Sequence, residues 1–224
     1  MSCPMVAGSA TLVRQYFTNP SFFAEDIKYR RGCNTGNSTS FQIHAFAPSA
    51  ATVKVGKRSR IKPSRLVSWH ARTNSEPDGF RGFGRVHLEA GMPLHGEGKT
   101  GLLVVDSSEG TIGSYGKKIV GIGVDGNSGV ELRATLCWID PPATALSATQ
   151  LQHDLDLVLK APSGATYTMW TSGVDDTVNV VERVIVPAES MESGEWSVIV
   201  SAKRLLTDEQ SYSLVVTGAI YNSK

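Results

Sequence analysis

The chain has 224 residues, with 22 lysines and arginines against 21 aspartates and glutamates, which gives a formal net charge of +1. This near-neutral balance provides no global electrostatic reason to expect nucleic acid or an anionic membrane as a partner. No segment approaches the run of about 18 apolar residues that a membrane span requires. The N-terminus lacks the basic and apolar regions of a signal peptide, so we expect none.

The first predicted element is an apolar helix over residues 4–17. Val6, Ala10, Val13 and Phe17 recur at spacings of three and four and therefore share one helical face. A proline is tolerated in the first helical turn, and the small residues that follow it suit close packing. We expect a helix that is buried on most sides and needs packing partners.

Residues 18–99 are irregular and rich in turn-forming residues. A helix start is predicted at residues 48–54, where Pro48 and Ser49 occupy the first turn. A basic run follows at residues 54–65, and it is interpreted either as a nucleic-acid or localisation patch or as a solvated loop. No aromatic or polar readout residues accompany the run, which favours the loop, so we expect no nucleic-acid partner.

From about residue 100 the apolar pattern changes to a period of two, and turn-forming clusters separate the runs. The runs are GLLVVD, KKIVGIGV, VELRATLCWID, DLDLVLKAP, NVVERVIVP, EWSVIVSA and YSLVVTGAI. An eighth strand is allowed near residues 165–170. Regular spacing without helices predicts a mostly β fold, an antiparallel β-sandwich of the jelly-roll type. Cys137, Trp138 and Trp196 are expected in its core.

Three cysteines, Cys3, Cys33 and Cys137, lie far apart in the sequence. Their odd number and wide spacing match neither a disulfide framework nor a CxxC metal motif. Two alternatives stay open, namely three free thiols, or one bridge within or between chains. Asn37 begins a glycosylation sequon, which has meaning only if the protein enters the secretory pathway.

The opening stretch MSCPMVAGSATLVRQYF resembles the segment that follows the catalytic serine in subtilisin-like serine proteases. In that family Gly-Thr-Ser-Met leads into small residues, Pro, usually His, and Val/Ala-Ala-Gly. Aligning Pro4 and residues 6–8 with this motif puts Met1 at the family's Met. The resemblance therefore implies a nucleophilic serine immediately before Met1. Ser2 falls one position past that Met and is not assigned the nucleophile's role, and Met5 stands where the family usually has His.

Later segments resemble the same family in the same order. FAPSAATVK at residues 46–54 is similar to the start of the last long helix of the catalytic domain, and GFGRVHLEAGM at residues 82–92 is similar to the segment that closes it. The strand-rich remainder resembles the β-barrel that one branch of the family carries after the catalytic domain. The resemblance implies two parts: residues 1–97, the truncated helical end of an α/β catalytic domain, and residues 98–224, the β-sandwich domain.

The chain departs from the family pattern after Lys54. The family helix continues there with apolar residues, whereas Gly56, basic residues and then Pro63 follow in this sequence. Proline blocks further helix, and burying the basic run without partners would cost a great deal of free energy. Either the helix ends early, or residues 55–66 come from an altered reading of the gene.

By resemblance, the intact parent is a serine endopeptidase that hydrolyses protein or peptide substrates, in the secretory pathway or outside the cell. The family's triad runs in the order Asp, His, Ser, so all three residues and the oxyanion-hole asparagine are expected upstream of Met1. The five histidines offer no substitute, because none has a partnered Ser or Asp at a telling spacing. We assign no catalytic residue and expect the chain to be inert without the missing N-terminal segment of the catalytic domain.

The resemblance also implies a calcium site, because β-barrels of this family branch bind calcium. In DLDLVLKAP, strand alternation puts the leucines on one face and two aspartates on the other, about 7 Å apart. Hard oxygens near one end of a sandwich suit Ca²⁺. The candidate ligands are Asp140, Asp154, Asp156, Asn179 and Glu182. The structural alternative is that Asp154 accepts backbone N–H bonds in a turn and that Asp156 is solvated.

Two functions from different classes follow. The leading hypothesis is the C-terminal part of a subtilisin-like endopeptidase, in which the sandwich stabilises the catalytic domain or helps to orient protein substrates. The alternative is a non-catalytic β-sandwich that binds protein or carbohydrate. Exposed aromatic side chains on one face of the sandwich would favour this second function.

Overall fold

The computed structural model describes residues 11–13, 15–16, 30–31, 100–105, 110–169 and 176–221. Residues 11–13 and 15–16 are helical, within the segment predicted to form a helix, and Val13 and Tyr16 are buried. Within the described parts, no helix has the length and apolar character needed to cross a bilayer. The division of the chain at residues 97 and 98 stays a prediction.

Several sequence predictions concern residues outside the described ranges. They are Ser2, Cys3, Cys33, the sequon at Asn37, the helix start at 48–54, the basic run at 54–65, the altered segment at 55–66, and His44, His70, His87 and His95.

The described residues from 100 onward are mostly β-strand, as the period-two pattern predicts. The strands are β1 (Arg30–Arg31), β2 (Gly101–Val105), β3 (Thr111–Gly113), β4 (Lys117–Val124), β5 (Leu132–Trp138), β6 (Asp154–Lys160), β7 (Thr166–Tyr167), β8 (Val181–Val186), β9 (Gly194–Arg204), β10 (Glu209–Gly218) and β11 (Ile220–Tyr221). A short 3-10 helix, Ala188–Ser190, precedes β9. The seven predicted runs all contain strands, and β7 lies where an eighth was allowed.

The strands form two sheets. The larger sheet has the order β1-β2-β10-β5-β8, with β3 paired to the first residues of β10, and the smaller sheet has the order β11-β4-β9-β6-β7. β1 and β2 pair in parallel, and the other described pairs are antiparallel. Inward side chains of both sheets join in one hydrophobic core. The predicted antiparallel β-sandwich is confirmed.

Strand alternation explains how each sheet builds its half of the core. On β9, Trp196, Val198 and Val200 are buried, whereas the residues between them are partly exposed. On β10, Leu214 and Val216 enter the same core from the opposite sheet. Each fully buried side chain of this size stabilises the fold by about 1.5–3 kcal/mol relative to exposure. The expected burial of Trp138 and Trp196 in the core is confirmed, and Cys137 is buried as well but lies on the other side of the larger sheet.

The larger sheet is buried on its other side as well, and we call this side the outer face. Its side chains point away from the smaller sheet because they alternate with the core residues of β2, β5, β8 and β10. The centre of this face is buried, with seven residues at most 7% exposed, whereas Arg133, Ile185 and Thr217 on the same face are partly exposed. The seven are Leu102, Val104, Thr135, Cys137, Arg183, Ser213 and Val215.

The two ends of the sandwich carry different connections. One end of the sandwich, which we call the loop end, carries the connections at residues 114–116, 139–153, 176–180 and 205–208. These connections adjoin strand ends that pair with one another in the sheets. At the other end, called the turn end, lie residues 125–131, 161–165 and 187–193. Thr100 also lies at the turn end, because the following residue, Gly101, pairs with Gly218 at the end of β10.

The outer face generates a prediction about Cys137, which is 1% exposed and forms no disulfide. Burial raises the pKa of its thiol from the ordinary 9.0 to about 12, because the charged thiolate is poorly solvated there. We expect a variant with Cys3→Ser and Cys33→Ser to resist thiol reagents when folded and to react fully in denaturant.

The same pKa shift sets a pH dependence. The thiol of Cys137 has a pKa of about 12 in the folded chain and of 9.0 in the unfolded chain. Its contribution to the free energy of unfolding is therefore complete below pH 9 and is lost as the pH rises toward 12. We expect the unfolding midpoint to fall across this window. Cys137→Ala should flatten that part of the curve, and an equally steep fall in this variant would contradict the assignment.

Candidate functional site

Asp140 lies two residues after the last residue of β5 and has a structural role at the loop end. Its Oδ1 accepts a hydrogen bond from the backbone N–H of His153 at 2.7 Å, and its Oδ2 accepts one from the backbone N–H of Gln152 at 2.8 Å. The carboxylate thus fastens the end of the long β5–β6 loop to its beginning. Capping of backbone N–H groups was considered above as an alternative role for Asp154, and Asp140 performs such a role here.

The aspartates of β6 lie on the side of the strand predicted for them. Leu155 and Leu157 belong to the core, and Asp154 and Asp156 alternate with them. Both residues are 9% exposed, so Asp156 is not the solvated residue of the structural alternative. Its Oδ2 lies 3.3 Å from Nζ of Lys203 on the neighbouring β9.

The remaining predicted ligands lie on or beside β8. Glu182 is 4% exposed and pairs in register with Leu136 of the larger sheet, whereas the two aspartates of β6 belong to the smaller sheet. Asn179 lies just before β8, where its side-chain amide donates to Oδ2 of Asp176 at 2.7 Å. Asp176 Oδ1 also accepts the backbone N–H of Asn179 at 3.0 Å.

These positions determine what can be said of calcium. Across the described ranges, no group of three or more His, Cys, Asp or Glu side chains is arranged to hold a metal ion. Calcium binding stays a prediction, which a rise in melting temperature on adding Ca²⁺ would support and an unchanged melting temperature would refute.

A polar network centred on His153 lies at the loop end, and no motif in the sequence predicts it. The imidazole is 2% exposed. Its Nδ1 lies 2.5 Å from Oε1 of Gln210, and its Nε2 accepts the backbone N–H of Thr207 at 3.2 Å. Because the amide oxygen accepts and the backbone N–H donates, this arrangement fits the tautomer with its hydrogen on Nδ1.

Further bonds join this network to the loops around it. Trp138 donates its indole N–H to the backbone carbonyl of His153 at 3.1 Å, and Gln210 donates its side-chain N–H to the carbonyl of Ile139 at 3.2 Å. The imidazole thus connects the β5–β6 loop with the β9–β10 loop. Such a buried network fixes loop positions because each unmet polar group would cost about 1–3 kcal/mol. Its role is positional.

Two arginines give the outer face its electrostatic character. Arg133 and Arg183 lie on neighbouring strands β5 and β8 and project on the same side. Burial, together with the positive charge of Arg183, lowers the pKa of Arg133 to about 10, and burial also lowers the pKa of Arg183. Glu131 forms an ion pair with Arg133. The outer face therefore disfavours further positive charge and would favour a carboxylate.

Comparison with known proteins assigns the chain to no family. No protein-family model matches the chain, and no curated protein matches it. Among solved structures, the chain is similar to the CspB protease of Clostridium perfringens, with 10% sequence identity and a TM-score of 0.28. The match covers 55% of this chain and 25% of that protease, so the chain spans a quarter of its length.

The His153 network generates a stability prediction. We expect His153→Leu to lower the free energy of unfolding by about 2–4 kcal/mol, because Gln210 and Thr207 lose a buried partner. His153→Gln should lose less, since its amide supplies both a donor and an acceptor. Urea unfolding followed by tryptophan fluorescence measures both variants. Equal stability of His153→Leu and the parent chain would show that the network contributes nothing.

Proposed function

We propose that this chain is the C-terminal part of a subtilisin-like serine endopeptidase and that its β-sandwich is the accessory domain of that enzyme. In this proposal the sandwich stabilises the catalytic domain and helps to present protein substrates to it. The chain's own described residues contribute packing and positioning, and the peptide-bond chemistry belongs to the rest of the enzyme.

The first support is the order of the resembling segments. The stretch after the family's nucleophile, the start of its last long helix, its closing segment and its β-domain are all matched in the same order along the chain. A fold of two antiparallel sheets from residue 101 onward agrees with the last of these matches.

The observation that carries the accessory role is the burial of the outer face. A free-standing sandwich usually leaves the outer sides of its antiparallel sheets in contact with water. Here Val215 is 6% exposed and Cys137 is 1% exposed, although neither points into the core between the sheets. A sandwich whose larger sheet is covered on both sides is suited to packing beside further polypeptide, as an accessory domain does.

The reaction assigned to the intact enzyme needs groups that the described residues do not bring together. A serine protease requires a serine activated by a histidine, an aspartate that orients the histidine, and donors for the oxyanion. His153 is the histidine of the described part, and both of its ring nitrogens already contact Gln210 and Thr207. In the proposal, catalysis therefore depends on residues that the resemblance puts upstream of Met1.

The alternative, a free-standing binding module, receives a limited test from the aromatic residues. Carbohydrate binding usually relies on exposed aromatic side chains grouped on one surface. Among the described residues, the exposed aromatics are Tyr115, at the loop end, and Tyr221, which pairs with Gly123 near the turn end. Because these two tyrosines lie far apart, they do not favour a carbohydrate-binding surface. If the sandwich is a free-standing binding module, we therefore expect its ligand to be a protein.

The proposal predicts how an activity-based probe will react. We expect a labelled fluorophosphonate not to modify the purified chain, because the proposal puts the activated serine upstream of Met1. A polypeptide that the gene extends upstream through Gly-Thr-Ser and the Asp and His motifs should be labelled and should hydrolyse casein. Removal of residues 98–224 from that longer polypeptide should lower its melting temperature and its activity.

The control variant is Ser2→Ala, made in both the short and the extended chain. We expect it to leave labelling of the extended chain unchanged, since Ser2 is not assigned the nucleophile's role. Specific labelling of the short chain that Ser2→Ala abolishes would overturn the proposed function.

A further inference from the structure

The β5–β6 loop, residues 139–153, is the longest connection of which every residue is described. Seven of the nine residues of its tip, which we define as 142–150, are exposed, and Leu146 near the middle of the tip is 104% exposed. A loop of this length is uncommon in a compact domain unless it has a function. Exposed loop tips with small residues are also preferred sites of proteolytic cleavage.

Leu146 is the one large apolar residue of the tip, and its neighbours on both sides are small. An endopeptidase whose pocket for the residue before the cleaved bond is apolar selects such a side chain. Leu146 also has φ of 66°, which is rare for a bulky residue because its Cβ atom is crowded. An extended conformation, which a protease groove imposes on its substrate, would relieve this strain and so favours opening of the tip.

The hydrogen bonds of the tip join it to the loop itself. The backbone N–H of Ser147 donates to the Thr144 carbonyl at 3.1 Å, and Ser147 Oγ donates to the Thr149 carbonyl at 2.7 Å. The side-chain amide of Gln150 donates to the Ser147 carbonyl at 2.8 Å. Because the hydrogen bonds described for the tip stay within the loop, the tip can open without breaking a hydrogen bond to either sheet, and water replaces the lost partners.

The two flanks of the tip are fixed to the rest of the sandwich. On both sides the carboxylate of Asp140 is involved, because it accepts the backbone N–H groups of Gln152 and His153. Leu151 is 3% exposed and belongs to the core, and its carbonyl accepts a hydrogen bond from the guanidinium of Arg204 at 2.7 Å. Opening is therefore confined to the tip and leaves the strands on either side in place.

The β3–β4 turn provides an internal comparison, because Tyr115 shares two properties with Leu146. Tyr115 is 87% exposed and has φ of 57°. Its neighbours, however, are bonded to other segments of the chain. The backbone N–H of Ser114 donates to a carbonyl of the β9–β10 loop at 3.3 Å, and the Gly116 carbonyl accepts the backbone N–H of Ala202 on β9 at 3.0 Å. Opening this turn would break both bonds, so we expect the peptide bond after Tyr115 to be protected.

The strand order shows that a sandwich cleaved in the tip would stay assembled. The piece before the cleaved bond would contain β1–β5, and the piece after it would contain β6–β11. In the larger sheet β10 lies between β2 and β5, and in the smaller sheet β4 lies between β9 and β11. Backbone hydrogen bonds between the two pieces therefore run through both sheets, and the core draws side chains from both pieces.

We propose that the β5–β6 loop is a processing site, at which an endopeptidase with an apolar specificity pocket hydrolyses the peptide bond between Leu146 and Ser147. Water adds across this bond, so that Leu146 gains a free carboxylate and Ser147 gains a free ammonium group. The product is a two-chain sandwich whose pieces are held together mainly through β10 and β4. Because the chain is here the substrate of a protease, the proposal does not depend on the chain's own assignment to an endopeptidase.

Limited proteolysis of the full 224-residue chain with chymotrypsin tests the proposal, because the specificity pocket of this enzyme is hydrophobic. Under native conditions we expect cleavage after Leu146 to be at least about tenfold faster than cleavage after Tyr115 or Leu206, although these two residues are 87% and 67% exposed. Mass spectrometry identifies the fragment that begins at Ser147. The two pieces should elute together in size-exclusion chromatography and should separate in denaturant.

Matched variants separate recognition of the loop tip from general exposure of leucine. Leu146→Asn removes the apolar side chain and suits the positive φ, so it should fold at least as stably as the parent chain. Cleavage between positions 146 and 147 should fall at least about tenfold in this variant, because the protease pocket loses its apolar contact. Leu206→Asn removes an exposed leucine from the short β9–β10 loop, and it should leave that cleavage unchanged.

Several results would overturn the proposal. Comparable rates of cleavage after Leu146, Tyr115 and Leu206 would show that the protease attacks a globally unfolded chain. No cleavage after Leu146 would show that the tip does not open, and unchanged cleavage in Leu146→Asn would show that the leucine is not recognised. Separation of the two pieces under native conditions would show that the cleaved sandwich does not hold together.

Discussion

The register of β10 is the constraint on which the rest of the sandwich depends. β10 pairs with β2, β3 and β5, and its Leu214 stands opposite Leu136 of β5. This pairing sends Leu214 into the core and Ser213 to the outer face. Because side chains alternate along a strand, a shift of one residue would exchange these faces. The same register brings Gln210 to His153, so the loop end depends on it as well.

The strands were largely predictable from the sequence, because strands with one buried side leave a period-two pattern. The run KKIVGIGV coincides with β4 (Lys117–Val124), and DLDLVLKAP contains β6 with its leucines inward. The strands that escaped prediction are very short: β3 has three residues, and β11 and β1, which lies in the segment expected to be irregular, have two each. They are held by pairing with β10, β4 and β2, and such contacts between distant residues leave no local pattern.

The candidate sites were less predictable, because carboxylates and imidazoles take their roles from three-dimensional neighbours. Alternation correctly separated Asp154 and Asp156 from the leucines, yet the ion pair of Asp156 with Lys203 depends on how β6 and β9 are aligned. The partners of His153 lie 54 and 57 residues away. The outer face was missed for a related reason: in β5 almost every residue is buried, so no alternation revealed its second covered side.

The register of β10 can be tested directly with a cross-strand disulfide. Ser213 stands opposite Cys137, and opposed residues of antiparallel strands have Cα atoms about 4.5–5.5 Å apart, within the range of a disulfide. In a chain with Cys3→Ser and Cys33→Ser, oxidative refolding of Ser213→Cys should link positions 137 and 213, as detected by mass spectrometry. Ser211→Cys, two positions along the same face, should stay unlinked. A bond from position 211, with none from position 213, would contradict the register and the two-ended sandwich built on it.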